Sequence, residues 1–260
     1  MFDTFTVEIC AGGIEDVITA SRFPIDRIEL NCALELGGLT PSVSVLKAAK
    51  NHTSVPVLCM VRPRAAGFVY SENECRIMME DARVLLEAGA DGIVFGFLNP
   101  DHSVNQEKTA EMVSLIHSYG KTAVFHRAFD LTPDPVSAVQ TLISCNVDRI
   151  LTSGQEETAY KGILCIKSLI EQYGNQIEIL PGCGITADNV QEILQKTGAS
   201  QFHMTAKSDR HDSGSYPAVD ARNIQAVYQK LFHNHETHST LLTREDTELM
   251  REELYEKQFD

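Results

Sequence analysis

Short apolar runs alternate with longer amphipathic stretches along most of the chain. Runs of four to seven residues rich in β-branched and apolar side chains predict strands. These are Thr4–Cys10, Arg27–Asn31, Pro56–Arg62, Gly92–Phe97, Thr122–His126, Arg149–Thr152, Ile177–Leu180 and Gln201–Thr205. Helical spacing follows near 13–22, 41–51, 72–88, 106–118, 134–144, 157–173, 186–197 and 219–232. Eight strand–helix units predict a TIM-type (β/α)8 barrel, with a doubly wound open sheet as the alternative.

A repeated phrase introduces every second predicted strand. The phrases are Asp26-Arg27-Ile28, Asp91-Gly92-Ile93, Asp148-Arg149-Ile150 and Ser200-Gln201-Phe202. Their matched positions, 27, 92, 149 and 201, lie 65, 57 and 52 residues apart, which is two strand–helix units each time. This repeat favours a barrel built from similar quarters.

The chain has 260 residues and is 43% hydrophobic, which suits one large globular domain. No composition shift or linker divides residues 1–232, so we assign them to a single barrel. Residues 233–260 combine a histidine-containing linker with an acidic stretch, and we expect a helical tail there.

Charge and apolar content exclude several classes of partner. The net charge of −14 argues against a general surface for nucleic acid or anionic membranes. We find no apolar run of about 18 residues, so no membrane span is expected. The first residues lack the features of a signal peptide, which predicts a cytoplasmic protein.

Polar side chains gather near the C-terminal ends of the predicted strands, where barrels of this type hold their functional sites. Alternate residues of a strand share one side, and this parity places Glu8, Glu29, Arg62, His126 and His203 in one predicted pocket. The alternative is that some of these groups only satisfy one another in structural ion pairs. The candidate catalytic residues are Glu8, Glu29, His126 and Asp130, and the candidate substrate-binding residues are Arg62, Arg64, Thr152, Gly182, Gly184 and His203.

Each candidate type suggests its own chemistry. Two carboxylates on neighbouring strands can separate their pKa values as acid and base, or hold a hard cation. His126 suits a general base or a ligand. Arg62 and Arg64 offer planar guanidinium groups that clamp a carboxylate or phosphate. The loop Gly182-Cys183-Gly184 could cradle an anion, or need glycine only for a tight turn.

The seven cysteines include no C-x-x-C pair, so neither a zinc ribbon nor a thioredoxin-like site is indicated. Cys10 and Cys32 should lie at the barrel mouth, with Cys183 above the seventh strand. Soft thiolates favour Cu(I), so these residues are candidate copper ligands; the alternative is unliganded thiols. Cys59 has the opposite parity to Arg62 and should face the helices.

Taken together, the motifs resemble the CutC copper-homeostasis family over most of residues 5–206. The matching segments are Val7-Glu8-Ile9-Cys10, Asp26-Arg27-Ile28-Glu29-Leu30, Gly37-Gly38-Leu39-Thr40-Pro41-Ser42, Val61-Arg62-Pro63-Arg64, Val69-Tyr70-Ser71, Phe125-His126-Arg127-Ala128-Phe129-Asp130, Leu151-Thr152-Ser153-Gly154 and Pro181-Gly182-Cys183-Gly184-Ile185. The resemblance implies a cytosolic barrel, often oligomeric, that binds Cu(I) and acts in copper tolerance.

The sequence departs from that family pattern in three places. Asn31 stands where the family has a cysteine after Ile-Glu-Leu, and Cys32 follows it. Ala65-Ala66 replaces a Gly-Gly pair, and Cys183 replaces a glycine. The first departure affects a copper site built on Cys10 and the neighbouring position 31, because Asn31 offers no thiol.

Two functions from different classes are therefore expected. The first is a cytosolic copper-homeostasis protein that binds Cu(I) through cysteine at the barrel mouth, as a homo-oligomer. The second is a TIM-barrel enzyme whose substrate is a small anionic metabolite, either phosphorylated or not. The enzyme would act through Glu8, Glu29 and His126 together with Arg62. We assign the first and keep the second as the alternative.

Overall fold

The computed structural model describes residues 5–232. Its barrel strands are β1 (Thr6–Ala11), β2 (Arg27–Leu30), β3 (Val57–Met60), β4 (Gly92–Phe95), β5 (Thr122–Phe125), β6 (Arg149–Thr152), β7 (Glu178–Pro181) and β8 (Gln201–Met204). Its α-helices are α1 (Ile14–Ala20), α2 (Val43–His52), α3 (Glu72–Glu87), α4 (Gln106–Ser118), α5 (Pro135–Ser144), α6 (Ile163–Tyr173), α7 (Val190–Thr197) and α8 (Ala221–Phe232). Thr4 and the tail predicted at 233–260 lie outside the described residues.

The eight strands form one parallel sheet that curls into a nearly closed barrel. Their order is β7-β6-β5-β4-β3-β2-β1-β8, so every neighbour but one is also a neighbour along the chain. At the seam, Gln201 Nε2 of β8 donates to the Ile179 carbonyl of β7 at 3.2 Å. The (β/α)8 barrel is confirmed against the open-sheet alternative.

The repeated entry phrases have a common structural role. Strands β2, β4, β6 and β8 begin at positions 27, 92, 149 and 201. The Asp26, Asp91 and Asp148 carboxylates accept hydrogen bonds from the backbone N–H groups of residues 7, 57 and 123, at 2.7, 2.9 and 2.7 Å. Each aspartate therefore ties the start of an even strand to the preceding odd strand.

Strand alternation divides the core into two layers. The larger layer lies between strands and helices and includes Cys59, which confirms its predicted orientation. The second layer fills the barrel interior and consists of Leu58, Met60, Val94, Val124, Leu151 and Leu180. These six residues fix the inward parity of strands β3 to β7 and thereby the direction of the polar side chains that follow.

Three features differ from the sequence prediction. A hairpin of β9 (Lys207–His211) and β10 (Ser215–Val219) precedes α8; β9 and the start of β10 are exposed and polar and lack the apolar pattern of a buried strand. Two short 3-10 helices, Leu34–Leu36 and Arg127–Leu131, follow β2 and β5. The observed helix α6 begins at Ile163, so residues 157–162 of the predicted helix 157–173 are not helical. Within 5–232, no helix is long and apolar enough to cross a bilayer.

Candidate functional site

A cavity of about 1050 Å³ opens at the C-terminal ends of the barrel strands. Its wall includes Cys10, Glu29, Arg62, His126 and His203. Glu8 lies under this wall, where its side chain bonds to His203. Four of the five residues of the predicted pocket therefore line this cavity, whereas Glu8 lies beneath it.

Glu8 is the centre of a buried ion-pair network. Strand pairing sets Arg27 of β2 and His203 of β8 directly opposite Glu8 on its two sides. Arg27 Nε and His203 Nδ1 contact the two Glu8 oxygens at 2.8 Å each, and Arg149 Nη1 lies 3.9 Å away. Burial alone would raise the pKa of Glu8, but these three partners lower it from 4.5 to about 2. Glu8 is therefore a carboxylate at neutral pH.

Glu29, on the neighbouring strand, has the opposite electrostatic character. Burial and the charge of Glu8 raise its pKa, although His203 and the Asn31 amide oppose the rise. Its Oε1 accepts from Asn31 Nδ2 at 2.9 Å and from Cys10 Sγ at 3.8 Å. Its Oε2 is buried without a hydrogen-bond partner in the part of the chain that is described. Glu29 is thus poised to hold a proton or contact a ligand.

Cys10, Glu29 and His203 form a group with the donor atoms of a metal site. One ligand atom from each residue lies within 4.8 Å of the other two, and no other such group of three occurs among residues 5–232. Burial and the nearby carboxylates raise the pKa of the Cys10 thiol well above its ordinary value. Without a bound cation, Cys10 is therefore a protonated thiol.

The departure from the family pattern at Asn31 is visible in this group. Asn31 Nδ2 donates to Cys10 Sγ at 3.4 Å, so the amide stands beside the thiol. Gly38, at φ +84°, makes room for it, since a Cβ there would lie 2.3 Å from Asn31 Oδ1. Cys32 Sγ instead donates to the Thr40 carbonyl at 3.1 Å and does not line the cavity. The structure does not place Cys32 with Cys10.

Arg62 and His126 form another part of the wall. Arg62 Nη1 donates to the carbonyls of Leu36 and Gly38 at 3.1 and 3.0 Å, and its Nη2 donates to the carbonyl of Ala66 at 2.8 Å. His126 Nδ1 accepts from the backbone N–H of Ala128 at 3.1 Å. Burial and the charge of Arg62 lower the pKa of His126 to about 3. His126 is thus neutral at physiological pH.

Arg64, Asp130 and Thr152 lie away from the cavity wall. Arg64 Nε contacts Glu74 Oε1 at 2.5 Å, and the rest of its guanidinium donates to carbonyls of the 65–69 loop. Asp130 accepts from Thr152 Oγ1 at 2.5 Å and from Ser153 Oγ at 2.9 Å. All three side chains thus hold loops together.

The inward orientation predicted for Thr152 is wrong. Its neighbour Leu151 belongs to the interior cluster and lines the cavity, so the parity of β6 turns Thr152 outward. The Thr152 hydroxyl bonds to Asp130 and accepts from the N–H of Gly154.

The glycine loop after β7 has strong conformational reasons for its composition. The N–H of Gly182 donates to the Thr152 carbonyl at 2.9 Å, and a Cβ at 182 would lie 2.5 Å from Leu151 Cδ1. Gly184 has φ +70° and lines the cavity. Close packing against Leu151 therefore accounts for Gly182, whereas the left-handed backbone of Gly184 lines the cavity.

Sequence reasoning missed Arg27 and Arg149, which neutralise Glu8. Both stand at the first position of a strand, directly after the aspartate of a repeated phrase. The sequence could have revealed Arg27, because it lies two residues before Glu29 on the same strand and therefore faces the same, inward side.

Comparison with known proteins identifies the lineage. The profile of the CutC family matches residues 5–208, nearly the whole barrel. The chain belongs to the CutC family. A CutC family protein of Treponema denticola is 47% identical over 206 residues, which cover 79% of this chain and 83% of that protein. The human copper homeostasis protein cutC homolog is 42% identical over 210 residues, 81% of this chain and 76% of that one.

Solved structures agree. The putative copper homeostasis protein CutC from Streptococcus agalactiae superposes with a TM-score of 0.73 at 35% identity. The match covers 78% of this chain and 99% of that chain. The phosphoribosylanthranilate isomerase of Pyrococcus furiosus has a TM-score of 0.53 at 15% identity, over 87% of this chain and 98% of that chain. The second likeness concerns the barrel fold alone.

Proposed function

We propose that this CutC protein acts in copper homeostasis by binding Cu(I) in the barrel cavity, with Cys10 as the principal ligand and His203 beside it. The observation that carries the proposal is the convergence of the Cys10, Glu29 and His203 donor atoms within 4.8 Å. The names of its CutC relatives point in the same direction.

The donor set suits a soft cation. Thiolate is the preferred type of ligand for Cu(I), and imidazole binds copper well. Two donor atoms about 2.0–2.3 Å from a metal and on opposite sides of it lie about 4.0–4.6 Å apart, and the donor atoms of this group all lie within 4.8 Å of one another. Copper coordination therefore requires these side chains to move inward.

The surrounding residues support the same role. Glu8 accepts a hydrogen bond from His203 Nδ1, which leaves Nε2 as the nitrogen for a ligand. This arrangement matches the carboxylate–histidine pairs that orient metal-binding imidazoles in proteins. The thiol must lose its proton when copper binds, and Glu29, the hydrogen-bond acceptor of Cys10, is the nearest base.

Seven free thiols suit a reducing compartment, in which Cu(I) is also the stable oxidation state. We therefore propose a cytoplasmic location. The homo-oligomer expected from the resemblance stays a prediction, which light scattering of the purified protein would test.

The test is a competition titration of Cu(I) against a chromophoric chelator under reducing conditions. Cys10→Ser is expected to weaken Cu(I) binding by at least about 100-fold and His203→Gln by about 10- to 100-fold. Cys165→Ser, on helix α6, is the matched control and is expected to bind as the wild type does. Cys32→Ser tests a second thiol that the sequence suggested as a ligand, and it should retain Cu(I) binding, since Cys32 bonds to Thr40 instead of lining the cavity.

Equal losses for Cys10→Ser and Cys165→Ser would contradict a site in the cavity. A preference for Zn²⁺ over Cu(I) in wild-type protein would contradict the choice of metal, because a Cys/His/Glu set also suits zinc.

A further inference from the structure

We propose that the cavity holds a second site, separate from the copper ligands, in which Arg62 and His126 bind the oxyanion of a small organic carboxylate. The site uses the wall contributed by β3 and β5, whereas Cys10, Glu29 and His203 come from β1, β2 and β8. The inference goes beyond copper binding and does not depend on it.

Among the residues that the structure describes, no carboxylate pairs with the positive charge of Arg62. The side chain is only 6% exposed, and its described hydrogen bonds go to the backbone carbonyls of Leu36, Gly38 and Ala66. Within residues 5–232, its Nε is buried without a partner. A buried cation without an opposite charge is costly, so the site favours an anion.

His126 adds an oriented neutral donor. Its Nδ1 accepts from Ala128, so the proton of the neutral ring sits on Nε2. Nε2 is buried without a partner in the described part of the chain, in a side chain that is 3% exposed and lines the cavity. Gly96 creates space for this ring, since a Cβ there would lie 2.5 Å from His126 Cε1.

One aromatic ring joins the two donors. The Phe68 ring centroid lies 4.7 Å from that of His126 and 5.1 Å from Arg62 Cζ. Arg62 and His126 therefore flank the same apolar surface, which lowers the local polarity and strengthens hydrogen bonds to an anion. The Tyr70 hydroxyl lies beside the same guanidinium but does not line the cavity.

The charge of the site selects the ligand class. One arginine and one neutral imidazole match the single charge of a carboxylate. A phosphate dianion would carry more charge than Arg62 neutralises. The cavity, about 1050 Å³, is large enough to hold a small metabolite together with a copper ion.

The experiment titrates metal-free protein with acetate, lactate and succinate, and with acetamide and lactamide as uncharged matches. Binding is followed by thermal shift and by the side-chain ¹⁵N signals of His126. A carboxylate is expected to bind, the amides are not, and the His126 Nε2 signal should move while the ring stays neutral. Arg62→Lys and His126→Asn should each weaken binding by about tenfold or more, since a hydrogen bond to a charged group is lost or misplaced.

Two control variants locate the site. Arg64→Lys and Cys10→Ser change residues outside it and should keep carboxylate binding, the second because copper binding is independent. Inorganic phosphate tests the glycine loop near Gly184. Phosphate binding that survives Arg62→Lys and His126→Asn, without any carboxylate binding, would overturn the proposal.

The proposal is also overturned if no carboxylate binds, if amides bind equally well, or if both variants retain wild-type affinity. Arg62→Lys also removes contacts that hold two loops. Should it fail to fold, His126→Asn and the wild-type His126 signals decide the matter: unchanged signals at saturating carboxylate contradict the proposal.

Discussion

The two halves of the barrel interior are built on different principles. From β3 to β7, the inward residues below the cavity are mainly apolar and include Leu58, Val94 and Leu180 of one buried cluster. Arg149, at the start of β6, is the exception, because its guanidinium reaches towards Glu8. Around β8, β1 and β2 the inward residues are ionised or polar, with Glu8 at the centre. The apolar half resembles any barrel core, whereas the polar half contains the donor atoms of the candidate copper site.

This difference shows that the candidate functional groups lie on strands β8, β1 and β2. In the polar half, the strand register places Arg27 and His203 on either side of Glu8, and Arg149 approaches Glu8 from β6 across the barrel. Glu29 has no cation within ion-pair distance, as far as the described residues go. Two glutamates on neighbouring strands therefore have unlike roles: Glu8 supports the network, and Glu29 faces the ligand.

The largest expected effect separates those two glutamates. Glu8→Gln should lower the free energy of unfolding by about 4 kcal/mol at pH 7, because Arg27, Arg149 and His203 lose their common counter-charge. Glu29→Gln is the matched control and should change it by less than about 1 kcal/mol, since a raised pKa makes the neutral form easy to hold. Urea unfolding of both variants measures the difference; similar losses would contradict the contrast.

Acid should weaken the polar half selectively. The pKa of Glu8 is about 2 in the folded protein and 4.5 ordinarily, so the unfolded chain binds more protons between these values. Its stabilisation, on the order of 3 kcal/mol, is present above about pH 4.5 and is lost as the pH falls towards 2. Stability curves of wild type and Glu8→Gln should converge over that window. Curves that stay parallel would show that Glu8 is not the group responsible.

Residues of the apolar half should contribute to the free energy of unfolding without affecting Cu(I) affinity. Leu180→Ala removes a fully buried side chain from the interior cluster and should cost about 3 kcal/mol. The Cu(I) affinity of the folded variant should equal that of wild type. A loss of Cu(I) affinity comparable to that of His203→Gln would erase the functional division between the halves.

The smallest expected effect is a gain in Cu(I) affinity. Asn31→Cys would place a second thiol next to Cys10, where the amide now lies 3.4 Å from its sulfur. We expect Cu(I) affinity to rise by about tenfold, because Cu(I) prefers thiolate ligands. Asn31→Ser controls for loss of the amide. If Asn31→Cys binds Cu(I) no more tightly than Asn31→Ser, the copper site lies elsewhere.

The sequence predicted the barrel well because two periodic signals agreed. Apolar alternation located the strands, and the repeated phrases predicted the starts of β2, β4, β6 and β8 at the observed residues. The β9–β10 hairpin was missed because Lys207–His211 is polar and exposed, so its pairing depends on a partner segment instead of burial.

The candidate site was only partly predictable. Parity predicted the inward side of Glu8, Glu29 and His203, but failed at Thr152, where one residue changes the side. For Cys32 it offered little guidance, because the chain leaves β2 at Leu30 and turns through left-handed Ala33. The neutral state of His126 and the raised pKa of Glu29 depend on burial and on neighbours that only the folded chain supplies.

Copper K-edge X-ray absorption of the Cu(I)-loaded protein tests the central claim most directly, since it identifies the atoms bound to the metal. We predict one sulfur together with imidazole scattering, and the imidazole scattering should disappear in His203→Gln while the sulfur remains. A site with two or more sulfurs and no imidazole, or a spectrum unchanged by His203→Gln, would contradict a copper site formed by Cys10 and His203.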